Sequence, residues 1–276
     1  MTPQVIAKLP EGNNVHGLAI VHEELCLVRD KTPAVETYSL NRFSLQRRLP
    51  VQGLRRPCDM VSSARHSCLY IADNKNMSKS SRSAVWKIYR VEFNGITTCW
   101  SISEEPLSIS VSQDECNVIV CSIGKVVEYT TKGSLVRDIS NEFISATHIF
   151  QSMQNQFVYI SRTMFQLNER SCINIVNDGH IIKSYGGTEG PAEGELNTPS
   201  RLAVDKDGYI FVANQSLNRI LILSPSLTFV NELLSRNDKN ISHVDRLCLD
   251  EVHGLLIVTQ HGDQTGMTTV LKVKYT

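Results

Sequence analysis

The sequence predicts an all-β chain, a six-bladed β-propeller of four-stranded antiparallel blades, and three observations carry that prediction. A four-strand meander of about 40 residues recurs along the chain, a length typical of one propeller blade. No stretch shows the apolar spacing of a long amphipathic helix. The last copy of the unit stops one strand short, while a spare strand stands ahead of the first copy. Joining the two would close a ring of sheets through backbone hydrogen bonds and leave neither end unpaired. A two-sheet β-sandwich is the competing arrangement; the period of about 45 residues and the displaced strand disfavour it.

In chain order, the spare strand is Gln4 to Leu9, within residues 2–12. The first blade, 13–54, opens with His16 to Val21 and Leu25 to Val28 and continues with Ala34 to Leu40 and Leu45 to Val51. The second, 55–105, has Pro57 to Val61, Cys68 to Asp73, Val85 to Phe93 and Ile96 to Ile102. Leu107 to Val111, Val118 to Cys121, Val126 to Tyr129 and Leu135 to Ile139 make the third, 106–143. The fourth, 144–197, runs through Ala146 to Phe150, Phe157 to Ile160, Cys172 to Val176 and Ile181 to Tyr185. The fifth, 198–241, is the clearest copy. Leu202 and Val204 alternate with other residues before Asp205-Lys206-Asp207-Gly208, and Ile210 and Val212 alternate after it, which is a hairpin signal. Turn-prone Asn214-Gln215-Ser216 leads into Arg219 to Leu223, and Ser224-Pro225-Ser226 into Leu227 to Leu234. The sixth, 242–276, supplies Arg246 to Leu249, Leu255 to Thr259 and Thr269 to Tyr275, and takes its fourth strand from the N-terminus.

Composition is that of one ordinary globular domain spanning residues 1–276, with 41% hydrophobic and 20% charged residues. No apolar run reaches the roughly 18 residues of a membrane span, and the N-terminus lacks the basic start and apolar run of a secretory signal. A cytoplasmic protein without membrane contact is expected. The eight cysteines, at 26, 58, 68, 99, 116, 121, 172 and 248, stand singly in or beside apolar runs, without zinc-ligand spacing. They read as buried thiols of a reducing compartment, and no metal or other cofactor is expected. The 28 Lys and Arg balance the 28 Asp and Glu, yet residues 29–100 hold 13 basic against 5 acidic residues, +8, which leaves −8 for the remainder.

The fifth blade also carries a family signature. Gly186-Gly187-Thr188-Glu189-Gly190, Gly194-Glu195-Leu196-Asn197-Thr198-Pro199, Leu202-Ala203-Val204-Asp205, Gly208 to Asn214 and Asn218-Arg219-Ile220 together resemble the NHL repeat. This is the blade unit of the six-bladed propellers at the C-terminus of tripartite-motif (TRIM) ubiquitin ligases. The first two blades echo it through Val28-Arg29-Asp30 and Ile71-Ala72-Asp73, and the others by period more than by motif. Where the family pattern has Asp, the fifth blade has Asn214, and the third, fourth and sixth read as Ser122, Arg162 and Gln260. The resemblance implies partner binding on the top side, where blade-to-blade connections and second-to-third-strand connections emerge.

On that side the residue just before each inner strand is expected to ring the channel mouth: Gly17, Asp59, Ser108, His148, Arg201 and Arg246. A propeller hydrolase, lactonase or lyase with a divalent metal there would need several converging carboxylate, amide or imidazole ligands. Two arginines oppose that. Arg55 and Arg56 lie in the first top connection and Lys75, Lys79 and Arg82 in a long top loop of the second blade; Arg29 and Lys31 belong to the adjacent blade. With Arg162, Arg219 and the ring they form a candidate positive surface for an acidic peptide or for nucleic-acid phosphates. Solvated basic residues are common, however, and Arg219 has the bland alternative of bridging blades through a carboxylate or carbonyl. Few aromatics fall in the top loops, Phe165 being the clearest, which favours backbone binding over base reading.

Other motifs carry less. The stretch GGTEGPAEGE lacks the Gly-Lys-Ser/Thr ending of a phosphate cradle, and Glu189, Glu193 and Glu195 would repel phosphate. No HExxH, Cys-His pairing or Gly-x-Ser-x-Gly elbow occurs, which leaves His148 and His243 as the histidines near the mouth. Two function classes stay open at this stage. One is a non-catalytic recognition domain for a protein segment or RNA, such as the substrate-recognition part of a TRIM-like ubiquitin ligase system, without ubiquitin transfer because this chain holds no RING or B-box cysteine pattern. The other is a propeller enzyme. An isolated domain of the first kind is expected to be monomeric, with oligomerisation left to flanking regions.

Overall fold

The computed structural model describes residues 3–74, 86–140, 145–153, 156–165, 168–188, 194–235, 241, 243–262 and 265–273. They form 24 strands and one short 3₁₀ turn, Gln215–Leu217, in six four-stranded antiparallel sheets. Strand β1 (Gln4–Gly12) comes first. The chain divides into two compact units, Val15–Ser140 and Asn141–Thr276 with Met1–Asn14.

The unit Val15–Ser140 holds three meanders. The first is β2 (Val15–Val21), β3 (Glu24–Arg29), β4 (Ala34–Ser39) and β5 (Leu45–Pro50). The second is β6 (Pro57–Ser63), β7 (Cys68–Asp73), β8 (Trp86–Glu92) and β9 (Thr97–Ile102), and the third β10 (Pro106–Val111), β11 (Asn117–Ser122), β12 (Lys125–Thr130) and β13 (Leu135–Asp138). First strands of successive sheets lie side by side, β2 against β6 and β6 against β10. Second strands are sandwiched on both faces, so β7 is buried along its whole length. That is why its sequence, CLYIAD, reads as a nearly continuous apolar run. Outermost strands have one covered face at most: all of β13 is exposed, and β5 is exposed except at Leu49. Weak hydrophobic patterning in the fourth strand of a blade follows from this placement. Ala19, Val28, Val35, Val51, Met60, Ile71 and Tyr89 pack together as a core shared by the first and second sheets.

The other unit holds β14 (Ala146–Met153), β15 (Gln156–Phe165), β16 (Asn168–Asn177) and β17 (His180–Gly186), then β18 (Pro199–Val204), β19 (Ile210–Asn214), β20 (Arg219–Leu223) and β21 (Phe229–Leu234). Its last sheet is β22 (Val244–Asp250), β23 (Leu255–Gln260), β24 (Gly266–Lys272) and β1, in the order β1-β24-β23-β22. The spare N-terminal strand therefore completes the sixth blade as the sequence predicts, pairing Gln4 with Lys272 and Gly12 with Gly266. Gly266 is needed at that closure, because a Cβ there would come within 2.8 Å of the Asn14 backbone.

Local chemistry sets the element ends. In the fifth blade the Asp205 carboxylate accepts the amides of Asp207 at 3.0 Å and Tyr209 at 2.8 Å, and Gly208 turns at φ +84°. This is the Asx-stabilised turn that the Asp-Gly signal predicts. The fourth strand of that blade starts at Phe229 and not at Leu227 as expected, since Leu227 sits at φ +53° and its amide bonds Ser224 O. The β15–β16 ladder outruns the expected Phe157 to Ile160, pairing through Phe165 with Asn168. The polar sequence there gave no apolar periodicity to read. Cys26, Cys68 and Cys121 are buried thiols, whereas Cys99 is exposed on outermost strand β9, against the expectation for it.

Candidate recognition site

Each sheet begins with the same irregularity. The first strand bulges between Val15 and Gly17, Pro57 and Asp59, Pro106 and Ser108, Ala146 and His148, and Pro199 and Arg201, and between Val244 and Leu247 in the last sheet. The six residues expected just ahead of the inner strands thus lie inside them, at the bulge, where one extra residue re-aims its neighbours. The extra residues fasten neighbouring sheets: Cys58 Sγ reaches Pro106 O at 3.3 Å and Ser200 Oγ donates to Asp245 O at 2.7 Å.

In the unit Val15–Ser140, the three bulge positions are closed to a partner. Gly17 has no room for a side chain, since a Cβ would meet Met60 Cβ and Val28 Cγ1 at 2.5 Å. Asp59 is buried, and its carboxylate accepts the amides of Met60 and Ile109, each at 3.0 Å, tying β6 to β10. Ser108 is fully buried.

The other unit presents His148, Arg201 and Arg246. His148 is 8% exposed, and its Nδ1 has no hydrogen-bond partner among the described residues. Burial holds its imidazole well below the usual value, and the charges of Arg201 and Arg246 push it further the same way. Arg201 Nη1 donates to Ser200 O at 2.8 Å; Arg246 is buried, with Nε on Asp245 Oδ2 at 3.2 Å and its amide on Thr259 Oγ1 at 3.0 Å. Two guanidinium groups beside this imidazole, that of Arg246 paired with Asp245, disfavour a divalent metal there.

The remaining candidates separate by exposure. Arg55 and Arg56 are exposed, and the buried Asp73 carboxylate fixes their backbone, accepting Arg56 N at 2.7 Å and Arg55 N at 3.3 Å. Asn214 does the same in the fifth blade, its Oδ1 accepting Asn197 N at 2.9 Å. The motif Asp/Asn is therefore the clamp that shapes the connection entering its own blade. Arg219 is buried and donates to Glu195 O at 2.6 Å and Glu232 at 3.4 Å, the bridging role that sequence allowed for it. Arg29 is likewise buried on Glu36 at 2.9 Å, while the Lys31 side chain is 82% exposed. Lys75, Lys79 and Arg82 lie outside the described residues.

Register corrects two alignments. Ser161, not Arg162, pairs with Ala146 as Asp73 pairs with Pro57 and Asn214 with Pro199. Arg162 is half-buried one residue on, and its amide bonds Ser145 O at 3.0 Å as that of Asn74 bonds Arg56 O at 2.9 Å. In the first blade the same register selects Arg29, opposite Val15, and not Asp30.

One cluster with catalytic residue types was not visible in sequence. Ser63 Oγ donates to Glu115 Oε2 at 2.6 Å and lies 3.0 Å from His66 Nδ1. The hydroxyl stands between imidazole and carboxylate, whereas a nucleophile triad places the imidazole between the other two. Ser63 is also fully buried, and Glu115 accepts the Arg65 amide at 2.8 Å, so the group clasps two hairpins together. Among the described residues no group of three or more His, Cys, Asp or Glu could hold a metal ion, and no helix is long and apolar enough to cross a membrane.

The fold class is a six-bladed β-propeller of four-stranded antiparallel blades. Within that class it resembles the NHL-repeat propellers of TRIM proteins. It is 38% identical over 71 residues to E3 ubiquitin-protein ligase TRIM71 of Rattus norvegicus and 49% identical over 71 residues to that of Gallus gallus. The matched stretch is 26% of this chain and 8% of each of those proteins. No protein-family profile matches the chain. Among solved structures, the PQQ-bound form of aldose sugar dehydrogenase from Streptomyces coelicolor superposes with a TM-score of 0.69 over 99% of this chain and 98% of that one. At 11% identity, that likeness shows the fold alone.

Proposed function

We propose that this propeller is a non-catalytic recognition module that engages an acidic protein segment or RNA through the side where its blade-to-blade connections emerge. The observation that carries the reading is the exposed pair Arg55 and Arg56, whose backbone Asp73 holds in place, and the basic excess of residues 29–100 agrees with it. In the other unit, Arg201 and Arg246 stand beside the buried His148. Similarity to TRIM71 supports a role as the substrate-recognition part of a TRIM-like ubiquitin ligase system in the cytoplasm. Partner capture from cell extract with and without nuclease, read for both protein and RNA, tests it. Retention that nuclease abolishes assigns the surface to RNA, and retention that survives assigns it to a protein segment. Stoichiometric Ca²⁺ or Zn²⁺ in the purified protein would overturn the reading in favour of a metal-dependent enzyme.

A further inference from the structure

Between the first and second sheets of the unit Val15–Ser140 lies a cleft of about 630 Å³. One wall is Pro33, Pro50, Val51 and Gln52 of the first sheet; the other is Tyr89 and Gly95 with Thr97, Thr98 and Cys99 of β9. The lining combines apolar surface with an open sheet edge, because β9 is the last strand of its sheet and pairs only with β8. Hydrogen bonding fixes which of its groups face outward. Glu92 N bonds Ile96 O at 2.9 Å, so alternate pairs from Arg90 and Thr98 onward exchange bonds within the sheet. Thr97 and Cys99 therefore turn their N–H and C=O groups to the open edge. The Thr97 hydroxyl is buried and has no hydrogen-bond partner among the described residues.

Arg55 and Arg56 give the cleft its positive excess, since Arg47 is paired with Glu24 and Arg48 with Glu36. Exposed Arg55 and Arg56 follow directly on the Gln52 wall, and the Arg55 charge is felt at the Tyr89 hydroxyl. Arg47 stands at the Phe93 end, 5.3 Å from the ring and 3.2 Å from Phe93 O. Nearby carboxylates are engaged: Glu24 with Arg47, Glu36 with Arg29 and Arg48, and Asp73 with the Arg55 and Arg56 amides. We infer that this cleft takes an extended, acidic segment of a partner protein, which adds to β9 as a fifth strand and sets one bulky apolar side chain against Pro33, Pro50, Val51 and Tyr89. Edge hydrogen bonds supply affinity in such strand addition, and a pocket for alternate side chains supplies specificity. The surface shares Arg55 and Arg56 with the proposed function but none of the bulge positions, and the Cys99 variants, which leave both arginines in place, separate the two.

The test is titration of the ¹⁵N-labelled chain with a synthetic peptide that alternates Glu with Val around one central Phe. Saturable amide shifts at Thr97, Cys99 and Gln52 are expected. Cys99→Pro, which removes an outward N–H and leaves the β8–β9 ladder intact, should weaken binding about tenfold, the loss of roughly one edge hydrogen bond. Cys99→Ser should bind as the parent does, and Cys99→Trp, whose side chain lies on the Tyr89 face of the sheet and fills the cleft, should abolish binding while the thermal midpoint stays unchanged. Absence of saturable shifts, or equal binding by a peptide with Lys in place of Glu, would overturn the inference. So would shifts of the same amides by an RNA homopolymer, or self-association of the chain through β9 that Cys99→Pro removes.

Discussion

Replacing Asp73 tests how the repeat motif shapes the surface proposed to bind. Asp73 is 1% exposed, and its carboxylate accepts two backbone amides, Arg56 N at 2.7 Å and Arg55 N at 3.3 Å. Bonds to a charged acceptor contribute about 1.5–3 kcal/mol, and the longer one lies at the weak end of hydrogen-bond geometry. Asp73→Ala should therefore cost about 2 kcal/mol, a fall of about 4–8 °C in melting midpoint for a chain of this size. Asp73→Asn keeps one acceptor but turns an NH₂ toward the second amide. Asn214 displays the consequence, because its Nδ2 is buried with no partner among the described residues. The Asn variant should lose about half as much as the Ala variant. Circular dichroism melts measure both, and partner retention should fall in step as Arg55 and Arg56 lose their fixed backbone. Equal midpoints for the two variants, or an Ala variant within about 1 °C of the parent, would refute the clamp.

Other substitutions probe separate parts of the account. Gly17→Ala forces contacts of 2.5 Å on Met60 and Val28 and should destabilise by about 1–3 kcal/mol, read from the shift in urea midpoint. Glu36→Ala removes the carboxylate held against the buried Arg29 and should cost about 3–5 kcal/mol, whereas Arg48→Ala, whose side chain is 62% exposed, should cost under about 1 kcal/mol. Burial would raise the Glu36 carboxyl, but Arg29, Tyr38 and Arg48 bring it below its ordinary value, so its contribution is present above the ordinary carboxylate range and is lost as pH falls through the native value. His148 resists protonation when folded; below its ordinary value near 6.5 the unfolded chain binds a proton that the native chain refuses, and stability falls with acid. Imidazole NMR should show His148 titrating well below the ordinary histidine value, and Arg246→Gln should move it upward.

The sequence made the blades legible because inner and middle strands are buried on both faces and so read as apolar runs, as in CLYIAD of β7. The borrowed strand was legible from counting: three strands at one end, one to spare at the other. Outer strands were fainter, since β13 has no buried residue to mark it. The motif position in the fourth blade was misplaced by one residue because Ser161-Arg162 offers no Asp or Asn to anchor an alignment; only the pairing of Ser161 with Ala146 resolves it. Arg219 and Arg55 look alike in sequence, yet one is buried on Glu195 O and the other exposed. The cleft beside β9 had no sequence signal, being assembled from Pro33, Pro50 and Thr97, residues of loops and strand ends that carry no shared pattern.

The most direct test of the recognition surface is charge reversal at its basic residues. A chain carrying Arg55→Glu, Arg56→Glu, Lys79→Glu and Arg82→Glu should melt as the parent does yet release its captured partner at every salt concentration, while the parent retains it steeply better at low salt. Undiminished retention by the reversed chain across the same salt series would contradict the assignment of this surface to an acidic protein segment or RNA.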